Sequence, residues 1–316
     1  MASTDQVPRK MRVTNARDVA EGVRELTLSS VDGALPDWEP GAHVDLILND
    51  HLTRQYSLCG DVNDRQNWVV SVLREPASRG GSVHVHDQVR VGDVIDVTGP
   101  RNNFTLEPAA GYVFIAGGIG ITPLLPMIAE AERRGARWRL HYGGRSKATM
   151  AYRDRFVDGD ERVAVRTEEE DGRLDLGAIL ASTSSTDLIY ACGPGGMLDV
   201  LRERCSEDQR TRLHLERFVA ETVDRSEDSP IQVTCQVSCQ RFTVGSRESI
   251  LDACRREGID VYASCEEGTC GSCETVVVSG VPLHRDSVLS EAERAAGEVM
   301  MICVSRAVTP ELVLDL

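Results

Sequence analysis

The chain is short of the features that would tie it to a membrane or to nucleic acid. No run of about eighteen apolar residues occurs, so no stretch is long enough to cross a bilayer as a helix. The opening "MASTDQVPRKMRV" has no apolar signal core, which points to the cytoplasm. Basic residues are the minority: 35 Lys and Arg stand against 50 Asp and Glu, a net charge of −15. A phosphate backbone needs a basic face, so the charge disfavours nucleic acid and none is expected as a partner. An acidic surface favours solubility and would also steer a basic protein partner. Neither an internal repeat nor a low-complexity segment is found.

What is present is enough for two or three ordinary globular domains: 316 residues, 41% of them hydrophobic. Residues 1–108 contain short strands between turns, such as "RELTLSS", "HVDLIL", "RQYSLCG", "NWVVSVLRE" and "DVIDVTG". Their even spacing predicts a small antiparallel β-barrel. Residues 109–223 alternate strand and helix ("YVFIAGG", a helix over about 123–134 stopped by Gly135, "RWRLHYGG", "RVAVRT", "DLIYACG", "GMLDVLRERC"), which predicts an α/β domain on a parallel sheet. "ETVDRSEDSP", Glu221 to Pro230, is polar and ends in proline, so it reads as a linker. Residues 224–316 add a hairpin, the helix "SILDACRREG", a cysteine-rich loop and the strands "ETVVVSG", "VMMICVS" and "ELVLDL".

The cysteine-rich loop, "SCEEGTCGSC", places Cys265, Cys270 and Cys273 at C-x4-C-x2-C, and Cys303 follows in "MMICVSRA". A redox staple, a zinc site and an electron-transfer centre all use clustered thiols. Structural zinc sites commonly have two C-x2-C pairs, and this chain has one. The spacing with a distant fourth cysteine is that of a plant-type 2Fe-2S cluster. Gly268 and Gly271 let the backbone wrap closely and aim amides at the sulfurs. Such a cluster sits near about −400 mV and takes one electron at a time. Hydride donors deliver two together, so a flavin and a nicotinamide site are expected upstream.

Arg54, Gln55, Tyr56 and Ser57 form "RQYS", which resembles the R-x-Y-S flavin motif of ferredoxin–NADP reductase-like proteins. Arg79, Gly80, Gly81 and Ser82 then open a short helix whose start would offer amides to a phosphate, with Ser82 as cap. A plain glycine turn is the competing reading. His84 and His86 read as packing or surface residues rather than a metal pair. In "FIAGGIGITP", Gly117, Gly118 and Gly120 make a tight turn, Thr122 is placed as N-cap and Pro123 in the first helical turn. Cys192, Gly193 and Pro194 resemble the C-G-P motif of the same superfamily, where the cysteine lies by the nicotinamide ring. Arg145 and Ser146, with Lys147, stand after the second strand, where a dinucleotide's ribose is read.

In this order the motifs resemble the phthalate dioxygenase reductase family, including the vanillate demethylase reductases. The likeness runs from about residue 8 to Leu316. It implies FMN rather than FAD, a C-terminal β-grasp ferredoxin domain, NADH as donor and delivery to a Rieske-type oxygenase. It implies that Ser57 and Cys192 flank the hydride transfer, and that Phe218 in "LERFVA" reaches the flavin. The family's acidic residue in the adenosine-ribose loop is Ser146 here, which leaves NADPH open as donor. A haem-thiolate monooxygenase is the alternative acceptor. A ferredoxin-type carrier or a zinc-stabilised module, with neither flavin nor NADH oxidation, is the alternative class. A monomer is expected.

Overall fold

The computed structural model describes residues 7–49, 51–75, 80–156, 159–220, 226 and 228–316. The chain divides into two compact units, Met1–Glu216 and Arg217–Leu316.

The first unit begins with β1 (Arg9–Ala20), β2 (Val23–Ser30), β3 (His43–Asn49), β4 (Leu52–Ser57), β5 (Asn67–Leu73), helix α1 (Gly81–Asp87) and β6 (Val94–Arg101). These six strands form one antiparallel sheet in the order β4-β3-β6-β1-β2-β5. The edge strands meet where Leu58 bridges Val70 and the Cys59 amide donates to the Val69 carbonyl at 2.9 Å, which closes the sheet into a barrel. Its interior is filled by Met11, Leu26, Leu46, Trp68 and Val97, all fully buried. Five of the six strands are those expected from the sequence. The exception is β1, whose mixed "RKMRVTNARDVA" buries only Met11 and Val13 completely.

Next come β7 (Gly111–Gly117), α2 (Ile121–Arg133), β8 (Arg137–Gly144), β9 (Val163–Thr167), α3 (Glu168–Asp171), α4 (Leu176–Ser182), β10 (Asp187–Cys192), α5 (Gly195–Arg204), α6 (Glu207–Arg210) and β11 (Leu213–Glu216). The sheet is parallel, in the order β11-β10-β7-β8-β9. Every residue of β7 is buried, as a central parallel strand covered on both faces requires. Helix α2 ends where Gly135 takes φ 67°, the expected stop. The crossing from barrel to sheet is pinned by two buried tyrosines. Tyr190 Oη donates to the Thr105 carbonyl at 3.0 Å and accepts from the Glu107 amide at 2.9 Å, and Tyr112 Oη donates to the Glu107 carbonyl at 2.8 Å.

The second unit contains β12 (Ile231–Cys235), β13 (Gln240–Val244), α7 (Ile250–Arg256), β14 (Glu274–Ser279), β15 (Pro282–Leu283), α8 (Glu291–Ala296), β16 (Val299–Met301), β17 (Arg306–Ala307) and β18 (Glu311–Leu314). A mixed sheet, β13-β12-β18-β14-β16, packs under α7 around Val233, Leu251, Cys254, Met300 and Leu312, a β-grasp arrangement. Most of the expected linker, residues 221–225 and 227, lies outside the described residues. Its end is anchored: Arg285 Nη1 donates to Asp228 at 2.8 Å, and Arg306 Nη2 donates to the Ser229 carbonyl at 2.7 Å.

Phe114 is fully buried in β7, packed on Tyr112 and Tyr190. Truncating it leaves a cavity in the centre of the parallel sheet. Phe114→Ala should lower the unfolding free energy by about 3–5 kcal/mol in urea titration.

Candidate functional site

Strand β4 carries Arg54, Gln55, Tyr56 and Ser57. Arg54 lies against the first turn of α1. A methyl on Gly81 would sit 2.4 Å from Arg54 Cγ, so the close approach needs glycine. Gly80, at φ 94°, is the N-cap of that helix. Ser82 is therefore not the cap: it lies inside the helix, and its hydroxyl accepts from the Glu75 amide at 3.1 Å. Arg79 lies outside the described residues. Gln55 opposes Asp45 across β3 and β4. Burial pushes the Tyr56 phenol up to about 12, with the Arg54 charge pulling the other way. His86 Nε2 meets the Val72 carbonyl at 2.9 Å, a packing role.

The turns after β7 and β10 are pressed together. A Cβ on Gly193 would lie 2.9 Å from Gly117 Cα, and one on Gly120 would lie 2.2 Å from the Cys192 carbonyl oxygen. A Cβ on Gly117 would lie 2.6 Å from Pro194 Cδ. Gly118 turns at φ 55°. The N-cap expected at Thr122 is instead Gly120, and Thr122 Oγ1 donates to the Ile119 carbonyl at 2.9 Å. A short 3-10 turn, Gly118–Gly120, runs directly into α2 and moves the helix start ahead of Thr122. Arg145 and Ser146 follow β8, as expected, and Ser146 caps a 3-10 turn in a capping box with Thr149.

Glu216 is a site residue that the sequence motifs do not reveal. It ends β11 in register with Cys192 of β10. Cys192 Sγ lies 3.9 Å from Glu216 Oε2, and the Ser57 hydroxyl bonds the same carboxyl. Desolvation pushes the Glu216 carboxyl up to about 8, against the pull of those two bonds. Burial, then the neighbouring Glu216, raises the Cys192 thiol as well. Glu216 thus joins the last residue of the flavin motif to the first of the C-G-P motif. The available signal is an acid closing an apolar strand in "LHLERF", a segment that the family resemblance marks for Phe218 alone. Phe218 belongs to the second unit and is half-buried.

In the second unit, Cys265, Cys270 and Cys273 lie on the loop between α7 and β14, and Cys303 follows β16. The four thiols contact one another, Cys265 meeting Cys270 and Cys303, and Cys303 meeting Cys273. Backbone amides aim at the sulfurs: Glu267 and Thr269 donate to Cys265 Sγ at 3.3 and 3.4 Å, and Ser272 donates to Cys270 Sγ at 3.4 Å. Gly268 and Gly271 take φ 72° and 73°, and a Cβ on Gly268 would lie 2.6 Å from Val304 Cγ2. Among the described residues, no three His, Cys, Asp or Glu side chains meet in a single-ion site.

Two features fit the groups such a chain needs. Four converging thiols with amide donors suit an iron–sulfur cluster. Gly81 lets Arg54 close against the start of α1, and Gly117 and Gly193 let the turns after β7 and β10 close on each other, the two places where a phosphate and a dinucleotide would be held.

Comparison with known proteins agrees. Residues 231–308 match the family model described as a 2Fe-2S iron-sulfur cluster binding domain. The chain is 43% identical to phenoxybenzoate dioxygenase subunit beta of Ectopseudomonas oleovorans, over 92% of each. It is 34% identical to phthalate dioxygenase reductase of Burkholderia cepacia, over 97% of each. Among solved structures, an intact type IV self-sufficient cytochrome P450 monooxygenase matches with a TM-score of 0.91 and 39% identity, covering 99% of this chain and 41% of that one. The fold and site define an iron–sulfur flavoprotein reductase that serves an oxygenase, with FMN and a 2Fe-2S cluster as cofactors. The chain belongs to the phthalate dioxygenase reductase family. No helix among the described residues is long and apolar enough to cross a membrane.

Between about pH 4.5 and 8 the folded protein holds a proton on Glu216 that the unfolded chain has released. This contribution to stability therefore falls as pH rises through that window. The unfolding free energy of the wild type minus that of Glu216→Gln should decline from pH 4.5 to 8 in denaturant titrations. A flat difference would mean that the carboxyl ionises as it does in water.

Proposed function

We propose that this reductase takes electrons from NADH and delivers them singly to a Rieske-type oxygenase. The observation that carries the reading is the Ser57–Glu216–Cys192 contact, which brings residues of the flavin and nicotinamide motifs side by side. Arg54, Gln55, Tyr56, Ser57 and Arg79–Ser82 hold the FMN. Gly117, Gly118, Gly120, Thr122, Cys192, Gly193 and Pro194 take the dinucleotide, and Arg145 and Ser146 take its adenosine ribose. Cys265, Cys270, Cys273 and Cys303 hold the cluster. Bound flavin supplies the conversion of a hydride into two single electrons. The protein supplies position: glycines let the turns after β7 and β10 close on each other, and the protonated Glu216 keeps a fixed negative charge away from an electron-rich transfer. The chain is read as a cytoplasmic monomer of three domains, 1–108, 109–223 and 224–316.

NADH is favoured over NADPH by charge. Lys147 is ion-paired with Glu170 at 2.6 Å, and the run Glu168–Asp171 follows β9 beside the Arg145 loop, where the Glu169 amide donates to the Arg145 carbonyl at 3.2 Å. Carboxylates there oppose a 2′-phosphate. Glu170→Gln should raise the NADPH/NADH ratio of kcat/KM severalfold, and an unchanged ratio would remove this residue from donor choice.

The likeness to the cytochrome P450 protein favours a second reading, in which the acceptor is a haem-thiolate monooxygenase. Reduction assays with each acceptor class decide between them. For the relay itself, Cys270→Ser should abolish transfer to the protein acceptor and leave NADH-driven ferricyanide reduction within about twofold of wild type. Loss of both activities in a folded, flavin-loaded variant would overturn the order of the relay.

A further inference from the structure

A row of polar side chains crosses the outside of the barrel. Arg17 of β1 opposes Glu25 of β2, and Glu25 opposes Ser71 of β5. Glu25 is 4% exposed. Arg17 Nε donates to Glu25 Oε1 at 2.7 Å. The other carboxylate oxygen takes a bond from a residue 127 positions away: Tyr152 Oη donates to Glu25 Oε2 at 2.7 Å. The same phenol is hydrogen-bonded to the Ser71 hydroxyl and lies 3.5 Å from Cys59 Sγ. Burial pushes the Glu25 carboxyl up, but the bonds from Arg17 and Tyr152 outweigh it and hold it below the ordinary range.

Tyr152 is not part of the barrel. It closes the segment that leaves β8 at Gly144 and carries Arg145 and Ser146. Its backbone is left-handed, at φ 60° and ψ 10°, a conformation that costs a bulky residue and persists where the surroundings dictate it. The segment is tied at further points. The Glu21 amide, in the turn between β1 and β2, donates to the Ala148 carbonyl at 2.8 Å. Tyr142 Oη donates to the Ala151 carbonyl at 3.0 Å. Arg155 covers the Tyr152 ring at 4.3 Å.

The Arg17–Glu25 pair is weak evidence for stability, since the Arg17 side chain is largely exposed and solvent screens it. The phenol contact is the specific one: a single hydroxyl reaches one carboxylate oxygen held in strand register. We propose that Glu25 and Tyr152 form a latch through which the flavin barrel positions the adenosine-side loop, so that both are positioning residues for dinucleotide binding. This rests on the reading of Arg145 and Ser146 as residues of the adenosine ribose. That end of the dinucleotide is remote from the hydride, so the latch contributes uniform binding and acts on KM rather than kcat.

The test is stopped-flow reduction of the full-length, FMN-loaded protein by NADH and by reduced nicotinamide mononucleotide, which lacks the adenosine half. Tyr152→Phe keeps the ring and the Arg155 contact and removes only the hydroxyl. It should raise the apparent dissociation constant for NADH roughly three- to tenfold and leave the limiting reduction rate within about twofold. The constant for the mononucleotide should not move. Glu25→Gln should shift NADH binding in the same direction, and Ser71→Ala, which leaves both charges in place, by less. An equal rise for both donors, or unchanged NADH binding in a folded Tyr152→Phe protein, overturns the latch. If Tyr152→Phe fails to fold, the comparison of the two donors in Ser71→Ala decides the matter. Failure of wild-type protein to be reduced by NADH would overturn the proposed function instead.

Discussion

The reductase unit depends on how closely the turns after β7 and β10 approach. Their backbones touch at Gly117 and Gly193, and the helix start at Gly120 rests on the Cys192 carbonyl. Parallel neighbours in register bring both turns to the same edge of the sheet. That edge is where open α/β sheets bind ligands. Any side chain in the contact would push the strand ends apart and widen the crevice. Backbone packing here therefore acts as site construction: it explains glycine at Gly117 and Gly120, while Gly118 is set by its left-handed φ of 55°.

Beside that contact, buried polar groups join the barrel to the sheet. Ser57 and Glu216 join at one place, and Glu25 and Tyr152 at another. Buried polar groups are costly unless every partner is present, so each joint holds in one relative placement and weakens in others. Separate joints fix an orientation better than one. Glu216 and Glu25 also differ in charge state for a physical reason. Glu25 has a guanidinium at 2.7 Å and stays ionised. Among the bonds to Glu216 are a hydroxyl and a thiol, too little to offset burial, so its proton is retained to about pH 8.

Much of this is legible in the sequence where chemistry is written locally. The cysteine spacing, "RQYS" and "CGP" each occupy a few consecutive residues, and the strand–helix alternation is carried by period. What is not legible arises from register and distance. Strand β1 is hidden because its face alternates irregularly around two bulges, at Val13/Asn15 and Asp18/Ala20. Glu216 is hidden because its role exists only once β11 pairs with β10. Thr122 is misplaced by pattern because a 3-10 turn starts the helix earlier than the glycines imply. The Glu25–Tyr152 bond spans 127 positions and has no local signature.

The cluster loop obeys the opposite logic. Its donors are almost all nearest neighbours: Glu267, Thr269 and Ser272 reach sulfurs two to four positions away. A loop that supplies its own amides keeps its geometry wherever the unit that carries it is placed. The positive φ values at Gly268 and Gly271 are what allow the chain to fold back on itself in so few residues. Hence the second unit can present its thiols as a self-contained centre, while the first unit, which must align two cofactors, uses contacts that reach across most of its length. The division of labour follows from the chemistry: single electrons tolerate distance, whereas a hydride needs donor and acceptor in contact.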